Sequence, residues 1–287
     1  MLRIGVLGLS EGNGHPYSWS AIFNGYDKEK KCPFDVIPEY LNKQTFPDDF
    51  LSGIGKVTHI WTQDKGISKS VAEFSHIDNI VEEPEEMIGQ VDVVLLARDD
   101  AENHYEMAKV FIENNIPIFI DKPLAFNLEE ARRIFEINEK SLVYSCSSIR
   151  FAKEFSEKIF NGVYYVNAMV MKSWKTYGIH VIEPVVSMFP NRGKLLSVQK
   201  AYSSLNVKIR VVEWENLTAT FTTSGKMKSS IRIDIMNSEF SKELLFKDTF
   251  YAFRESLRNF IEVVKKNEIN ISKDETLEII EIIEKGI

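Results

Sequence analysis

The sequence predicts an α/β fold: a doubly wound parallel sheet over residues 1–148, then an α+β domain built on an antiparallel sheet over residues 149–287. Three observations predict it. The apolar pattern of the first half switches between short continuous runs and helical spacing. The second half is dominated by strand-like, alternating segments. The first strand-like run ends in a glycine-rich turn that opens a helix.

In the first half, continuous apolar runs rich in Val, Ile and Leu occur at 2–7, 57–61, 91–97, 116–120 and 142–144. Runs apolar on both faces belong to strands covered by helices, as in parallel sheets. Helical stretches at 17–24, 68–74, 101–114 and 128–139 lie between them. Pro16 suits the first turn of the first helix and Gly25 its stop. The repeated βαβ order implies right-handed crossovers. Residues 26–55 interrupt it, because such connections usually take about 2–6 residues. They hold Pro33, Pro38, Pro47, Phe34, Tyr40, Phe46 and Phe50. This composition reads either as a surface excursion with its own apolar cluster or as a lid near a ligand.

After Ser148, segments 163–174, 196–203, 207–214, 217–223 and 229–235 are rich in Val, Ile, Thr, Tyr and Trp. Ile231-Arg232-Ile233-Asp234-Ile235 alternates, so one face is covered and the other polar. Short connections such as Glu215-Asn216 point to antiparallel pairing, and helical stretches at 250–265 and 273–284 close the chain.

Composition narrows the function classes. Of 287 residues, 27% are charged and 44% hydrophobic, a globular profile with room for one large or two modest domains. A net charge of −7 leaves no basic footprint for nucleic acid or an anionic membrane. Two cysteines, Cys32 and Cys146, make no disulfide framework and fit a reducing cytosol. Apolar runs are strand-sized and the start lacks a secretory pattern, so a soluble, cytoplasmic protein is expected. The histidines at 15, 59, 76, 104 and 180 show no short ligand spacing, which argues against a metal enzyme. Asn216-Leu217-Thr218 matches a glycosylation acceptor and reads as chance.

The first turn reads Gly8-Leu9-Ser10-Glu11-Gly12-Asn13-Gly14-His15-Pro16. A glycine-rich turn between a strand and a helix is where a dinucleotide pyrophosphate sits, close to backbone and to free N–H groups. Gly8, Ser10, Gly12, Asn13, Gly14 and His15 are therefore candidate cofactor contacts, although Ser10 holds the second glycine's place and the turn is enlarged. Gly8 to Gly12 also spells G-x-S-x-G, the nucleophile-elbow pattern. That elbow needs an earlier strand–helix loop for its oxyanion hole, and no strand precedes Leu2.

Near the second strand's end, Thr62 and Asp64 are candidates for the ribose hydroxyls, and Lys65 leaves a 2′-phosphate open. Arg98 and His104 follow the next long strand, at the sheet's carboxyl edge, where a cofactor contact and a solvated helix start are equal readings. The most informative string is Ile118-Phe119-Ile120-Asp121-Lys122-Pro123-Leu124-Ala125. A lysine directly after a buried strand, followed by proline, projects from the carboxyl edge and can stabilise developing alkoxide charge. In Thr176-Tyr177-Gly178-Ile179-His180-Val181-Ile182-Glu183, His180 is a candidate acid or base and Glu183, one turn on, a candidate partner for it. Arg150, Trp174 and Tyr177 are candidate substrate contacts.

Taken together, Asp121-Lys122-Pro123 and Gly178-Ile179-His180 resemble motifs of the Gfo/Idh/MocA group of NAD(P)-dependent oxidoreductases. The likeness extends in element order over nearly the whole chain. It implies a Rossmann domain over 1–148 that binds NAD or NADP. It also implies a C-terminal domain over 149–287 with an open, mostly antiparallel sheet that holds substrate and often mediates dimers. A homodimer or homotetramer would follow. By this resemblance the chain would interconvert a secondary alcohol and a ketone on a sugar, polyol or nucleotide sugar. Lys122 would contact the reacting oxygen and the nicotinamide ribose, with Asp121 and Pro123 beside the cofactor, and His180 would transfer the proton. The chain departs from the family at Thr176, where an acidic residue is usual, and at Arg98-Asp99, where a Thr-Pro-like pair is usual. The departure at Thr176 motivates an alternative reading, a cofactor-binding sensor or scaffold with weakened chemistry.

Overall fold

The computed structural model describes residues 1–159, 162 and 164–287. It divides into two compact units, one of Met1–Leu124, Arg132–Ser145 and Leu257–Ile271, the other of Ala125–Ala131, Cys146–Ser256 and Ser272–Ile287. The late segment Leu257–Ile271 thus falls with the first unit.

The first unit is built on a parallel sheet of six strands among the described residues: β1 (Leu2–Gly8), β2 (Gly55–Thr62), β3 (Asn79–Ile80), β4 (Val93–Leu96), β5 (Ile118–Ile120) and β6 (Val143–Tyr144). Their spatial order is 3-2-1-4-5-6. Ile4, Val6, Leu7 and all of β4 and β5 are buried, as continuous apolar runs require, and each such side chain contributes about 1.5–3 kcal/mol. Helices α1 (His15–Asn24), α2 (Val36–Leu41), α3 (Lys65–Phe74) and α4 (His104–Glu113) belong to this unit. The segment Leu257–Ile271 packs Phe260 against Phe119 and Tyr144, with ring centroids 5.6 Å apart in both pairs.

Residues 26–55 contain α2, which the proline-rich sequence hid. Ile37, Tyr40, Leu41, Phe50 and Leu51 are buried there. A Cβ on Gly14 would lie 2.6 Å from Ile37 and 2.8 Å from Phe34. The excursion is thus packed on the start of α1. Strand β3 escaped the sequence analysis because both its residues are exposed and carry no apolar run.

The second unit carries β7 (Tyr164–Val170), β8 (Leu195–Ser203), β9 (Lys208–Trp214), β10 (Leu217–Thr223), β11 (Arg232–Met236) and β12 (Ser241–Leu245), in the order 12-11-7-10-9-8. All neighbours are antiparallel except β7 and β10. The sheet is open and mostly antiparallel. Val166, Ala168 and Val170 on β7, and Leu217, Ala219 and Phe221 on β10, form one buried face. The expected strand from 163 to 174 begins at a residue outside those described and ends at Val170; Ser173 then caps a short helix, α6 (Trp174–Tyr177), accepting from the Thr176 amide. Helix α7 (Ile179–Met188) follows directly. Beyond α5 (Leu128–Glu136), the chain ends in α8 (Thr249–Lys266) and α9 (Lys273–Gly286). No helix among the described residues is long and apolar enough to cross a membrane.

Candidate functional site

The strand order 3-2-1-4-5-6 places a switch point between β1 and β4, where the connections leave in opposite directions and ligands bind in such sheets. Three loops meet there. Ser10 Oγ, after β1, donates to Asp99 Oδ1 after β4 at 2.7 Å, and the Asp99 amide donates back to Ser10 Oγ at 3.2 Å. Lys122, after β5, donates from Nζ to Asp99 Oδ2 at 3.3 Å. Asn13 Nδ2 donates to Asp121 Oδ2 at 2.9 Å, and His15 Nδ1 lies 2.5 Å from the same oxygen. Asp121 Oδ1 takes the Lys122 amide at 2.8 Å. The His15 ring stacks on Trp19, centroids 4.9 Å apart.

Lys122 is only 4% exposed, and its ammonium meets the Asp99 carboxylate. Burial raises the pKa of Asp99, but the Lys122 charge, the Ser10 hydroxyl, His15 and Asn13 outweigh it and hold the carboxyl at about 2. Asp99 therefore stays ionised and fixes the ammonium in place.

Several candidates are engaged elsewhere. His104 is fully buried, with Nδ1 3.0 Å from the Leu124 carbonyl and Nε2 2.8 Å from the Arg98 carbonyl. With no exposed surface it ties two loops together in place of the expected cofactor contact. Arg98 forks onto Asp100 and donates to Gln63 Oε1 at 3.2 Å. Gln63 Oε1 also takes the Leu9 amide at 2.9 Å, so Arg98 and Gln63 shape the loop after β1. Asp64 caps α3 by accepting from Ile67 at 2.9 Å, and Thr62 Oγ1 donates to the Asp64 carbonyl at 2.6 Å. Lys65 pairs with Glu82 at the surface.

In the second unit, His180 opens α7 and is 9% exposed. Its Nδ1 lies 2.7 Å from Ser147 Oγ, and the Tyr177 ring meets it edge-on with centroids 5.0 Å apart. The Ser147 amide donates to Glu183 Oε2 at 2.5 Å, so Glu183 supports His180 through Ser147. With Nδ1–H donating to Ser147, Nε2 is the basic nitrogen; with Ser147 donating, Nε2 holds the proton. The pair suits both directions of an acid–base step. Burial pushes Glu183 up to about 8, against the pull of Arg150 and the Ser147 amide.

Arg150 lies between Glu183, 3.6 Å away, and Glu275, 2.5 Å away, with its side chain 8% exposed. Its guanidinium is thus buried between two acidic residues. Trp174 is fully buried and donates to the Ile283 carbonyl at 2.9 Å. A Cβ on Gly286 would lie 2.4 Å from its indole. Trp174 thus belongs to the core. Thr176 Oγ1 is 2.7 Å from Ser173 Oγ, within the cap of α6. Ser147 is the residue the sequence analysis missed. Its only local signal is a serine-rich string, Ser145-Cys146-Ser147-Ser148, after a strand.

Residues 2–146 match the family described as GFO_IDH_MocA, "Oxidoreductase family, NAD-binding Rossmann fold". The chain belongs to the Gfo/Idh/MocA oxidoreductase family. No curated protein matches it. Among solved structures, a probable dehydrogenase from Thermotoga maritima is 15% identical, with a TM-score of 0.75 over 98% of this chain and 94% of that one. A myo-inositol 2-dehydrogenase from Lactobacillus plantarum is 11% identical, with a TM-score of 0.71 over 98% and 95%. GenD2 from gentamicin A biosynthesis, solved in complex with NAD, is 11% identical, with a TM-score of 0.73 over 99% and 93%. At these identities the likeness shows the fold.

The residues of this Gfo/Idh/MocA chain fit a dinucleotide. Gly12 has φ +76 and no heavy atom within 4 Å of where a Cβ would stand, so the loop is open there. A Cβ on Gly8 would lie 2.3 Å from Pro16 Cγ, so strand end and helix start approach closely enough to require glycine. The ionised Asp99 is the feature least suited to a pyrophosphate, and Lys122 balances it.

Proposed function

We propose that this family member is an NAD(P)-dependent dehydrogenase that interconverts a secondary alcohol and a ketone on a sugar, polyol or nucleotide-sugar substrate. The observation that carries the reading is Lys122, a nearly buried ammonium fixed by Asp99 at the sheet's switch point.

Gly8, Ser10, Gly12, Asn13, Gly14 and His15 would hold the pyrophosphate side of the cofactor. Thr62 and the second oxygen of Asp64 would hold the ribose, with Asp121, Lys122 and Pro123 beside the nicotinamide half. A bound nicotinamide supplies the hydride acceptor or donor. Lys122 holds the substrate oxygen and stabilises its charge as it becomes alkoxide-like. His180 takes the hydroxyl proton in oxidation and returns it in reduction, with Ser147 fixing the ring. Tyr177, packed on His180, lies within reach of the substrate. The first unit would bind cofactor, and the second would bind substrate and form the contacts of a homodimer or homotetramer.

The test is absorbance of reduced nicotinamide with NAD or NADP across sugars, polyols and nucleotide sugars. Turnover with one of these classes is expected. Cofactor binding without turnover across the whole panel would favour the sensor reading, to which Thr176 in the cap of α6 lends support.

A further inference from the structure

A cavity of about 400 Å³ in the second unit is lined by Lys172, Lys208 and Lys226, with Asn206 among them. Its walls come from the ends of β7 and β10 and the turn between β8 and β9. Two features show that it is built. Lys172 has φ +65, a backbone conformation unfavourable for a residue with a side chain. It is pinned there by its amide donating to the Gly225 carbonyl at 2.9 Å and the Gly225 amide donating back at 3.0 Å. Gly225 itself has φ +58, and a Cβ on it would lie 2.3 Å from the Asn206 carbonyl. The backbone is thus bent to bring these segments together around the lysines.

Charge supplies the second argument. The chain is net acidic, with 42 carboxylate residues. Among the described residues, Lys172, Lys208 and Lys226 pair with none. Three lysines around one cavity, none of them paired with a carboxylate, repel each other unless an anion enters.

One lining lysine of the cavity reaches toward the candidate proton-transfer residue. Lys172 Nζ donates to Tyr177 Oη and lies 4.1 Å from the centre of the Tyr177 ring, which packs on His180. We infer that the cavity binds a phosphoryl group carried by the substrate, the end remote from the reacting carbon. This rests on the reading of His180 as the substrate's acid–base residue. Lysines suit a tetrahedral dianion as point charges, whereas a carboxylate is matched best by the planar fork of arginine. The Asn206 amide adds a neutral donor. The volume falls in the range of small-molecule sites, roughly 300–1,000 Å³.

The experiment titrates inorganic phosphate into the full chain by calorimetry, with the protein saturated in NAD to fill the other anion site. Lys208→Gln/Lys226→Gln is expected to weaken phosphate binding at least tenfold. Lys226→Gln alone, at an exposed position, serves if the double variant unfolds, and is expected to weaken it several-fold. A hexose monophosphate and a nucleotide diphosphate hexose, compared with the unphosphorylated hexose, identify the source: the true class binds more tightly than inorganic phosphate and loses that advantage in the variant. No phosphate binding, or binding that the lysine substitutions leave unchanged, overturns the inference, as does a hexuronate that competes equally. His180→Asn should retain phosphate binding. Loss of turnover there with binding intact separates this site from the dehydrogenase reading. Turnover of neutral substrates without phosphate binding leaves that reading standing and defeats this one.

Discussion

Replacing Asp99 with asparagine removes one charge and keeps the shape, so it isolates what the carboxylate does for Lys122. The amide oxygen can still accept from Ser10, whose bond to Oδ1 is 2.7 Å long. What is lost is the ion pair at 3.3 Å. At an effective dielectric of about 20 that attraction is about 5 kcal/mol, and desolvation of the buried ammonium takes back a large part. The net gain of the ionised carboxyl from Lys122, Ser10, His15 and Asn13, after the cost of burial, can be read from its pKa, lowered from 3.8 to about 2. At about 1.4 kcal/mol per pH unit it is about 2 kcal/mol. The sign follows from the lowered pKa. The contribution is fully present above pH 3.8 and lost as pH falls toward 2. Urea unfolding of wild type and Asp99→Asn should differ by about 2 kcal/mol at neutral pH, by about half that near pH 3, and by little near pH 2. A gap that stays constant from neutral pH to pH 3, or one below about 0.5 kcal/mol throughout, would refute the reasoning, since both require a neutral or unpaired Asp99.

Ser147→Ala removes the partner of His180 Nδ1; kcat should fall about tenfold with KM little changed and the pH–rate profile displaced, whereas a merely structural serine would leave the profile in place. Glu183 has a carboxyl raised from 4.5 to about 8 by burial, so its contribution to stability is full below pH 4.5 and lost as pH rises toward 8. Glu183→Gln should therefore flatten the loss of stability that wild type shows across that window, and an unchanged slope would contradict the assignment. Trp174→Ala should lower stability by about 3–5 kcal/mol in chemical denaturation, as befits a fully buried ring. A cost below about 1 kcal/mol would return Trp174 to the list of substrate contacts.

The fold was legible where local pattern and burial agree. Val93–Leu96 is apolar throughout because both faces of β4 are covered, and the alternation of Arg232–Met236 reports one covered face. Strands β3 and β12 carried no such signal, since β3 is exposed and β12 is largely so. Within the site, Lys122 and His180 could be singled out because a lysine-proline pair after a strand and a histidine at a helix start are local features. Ser147 could not, because its value lies in meeting a ring 33 residues away. The same blindness to distant partners concealed that Arg150 lies between Glu183 and Glu275. It also concealed that His104 is spent on two carbonyls. Asp64 shows the local counterpart: a cap and a ribose ligand draw on the same residue type, and only the bond to Ile67 reveals the first use.

The proposed dehydrogenase reading requires that Lys122 and His180 both contribute to the alcohol–ketone step. A double-mutant cycle on kcat/KM, with Lys122→Ala, His180→Ala and both together, tests it most directly once a substrate is in hand. Each single change should lower kcat/KM by about 10²–10⁴, and the double variant should lose little more than the worse of the two. Losses that simply multiply, or a single variant with wild-type turnover, would show that the two groups act apart.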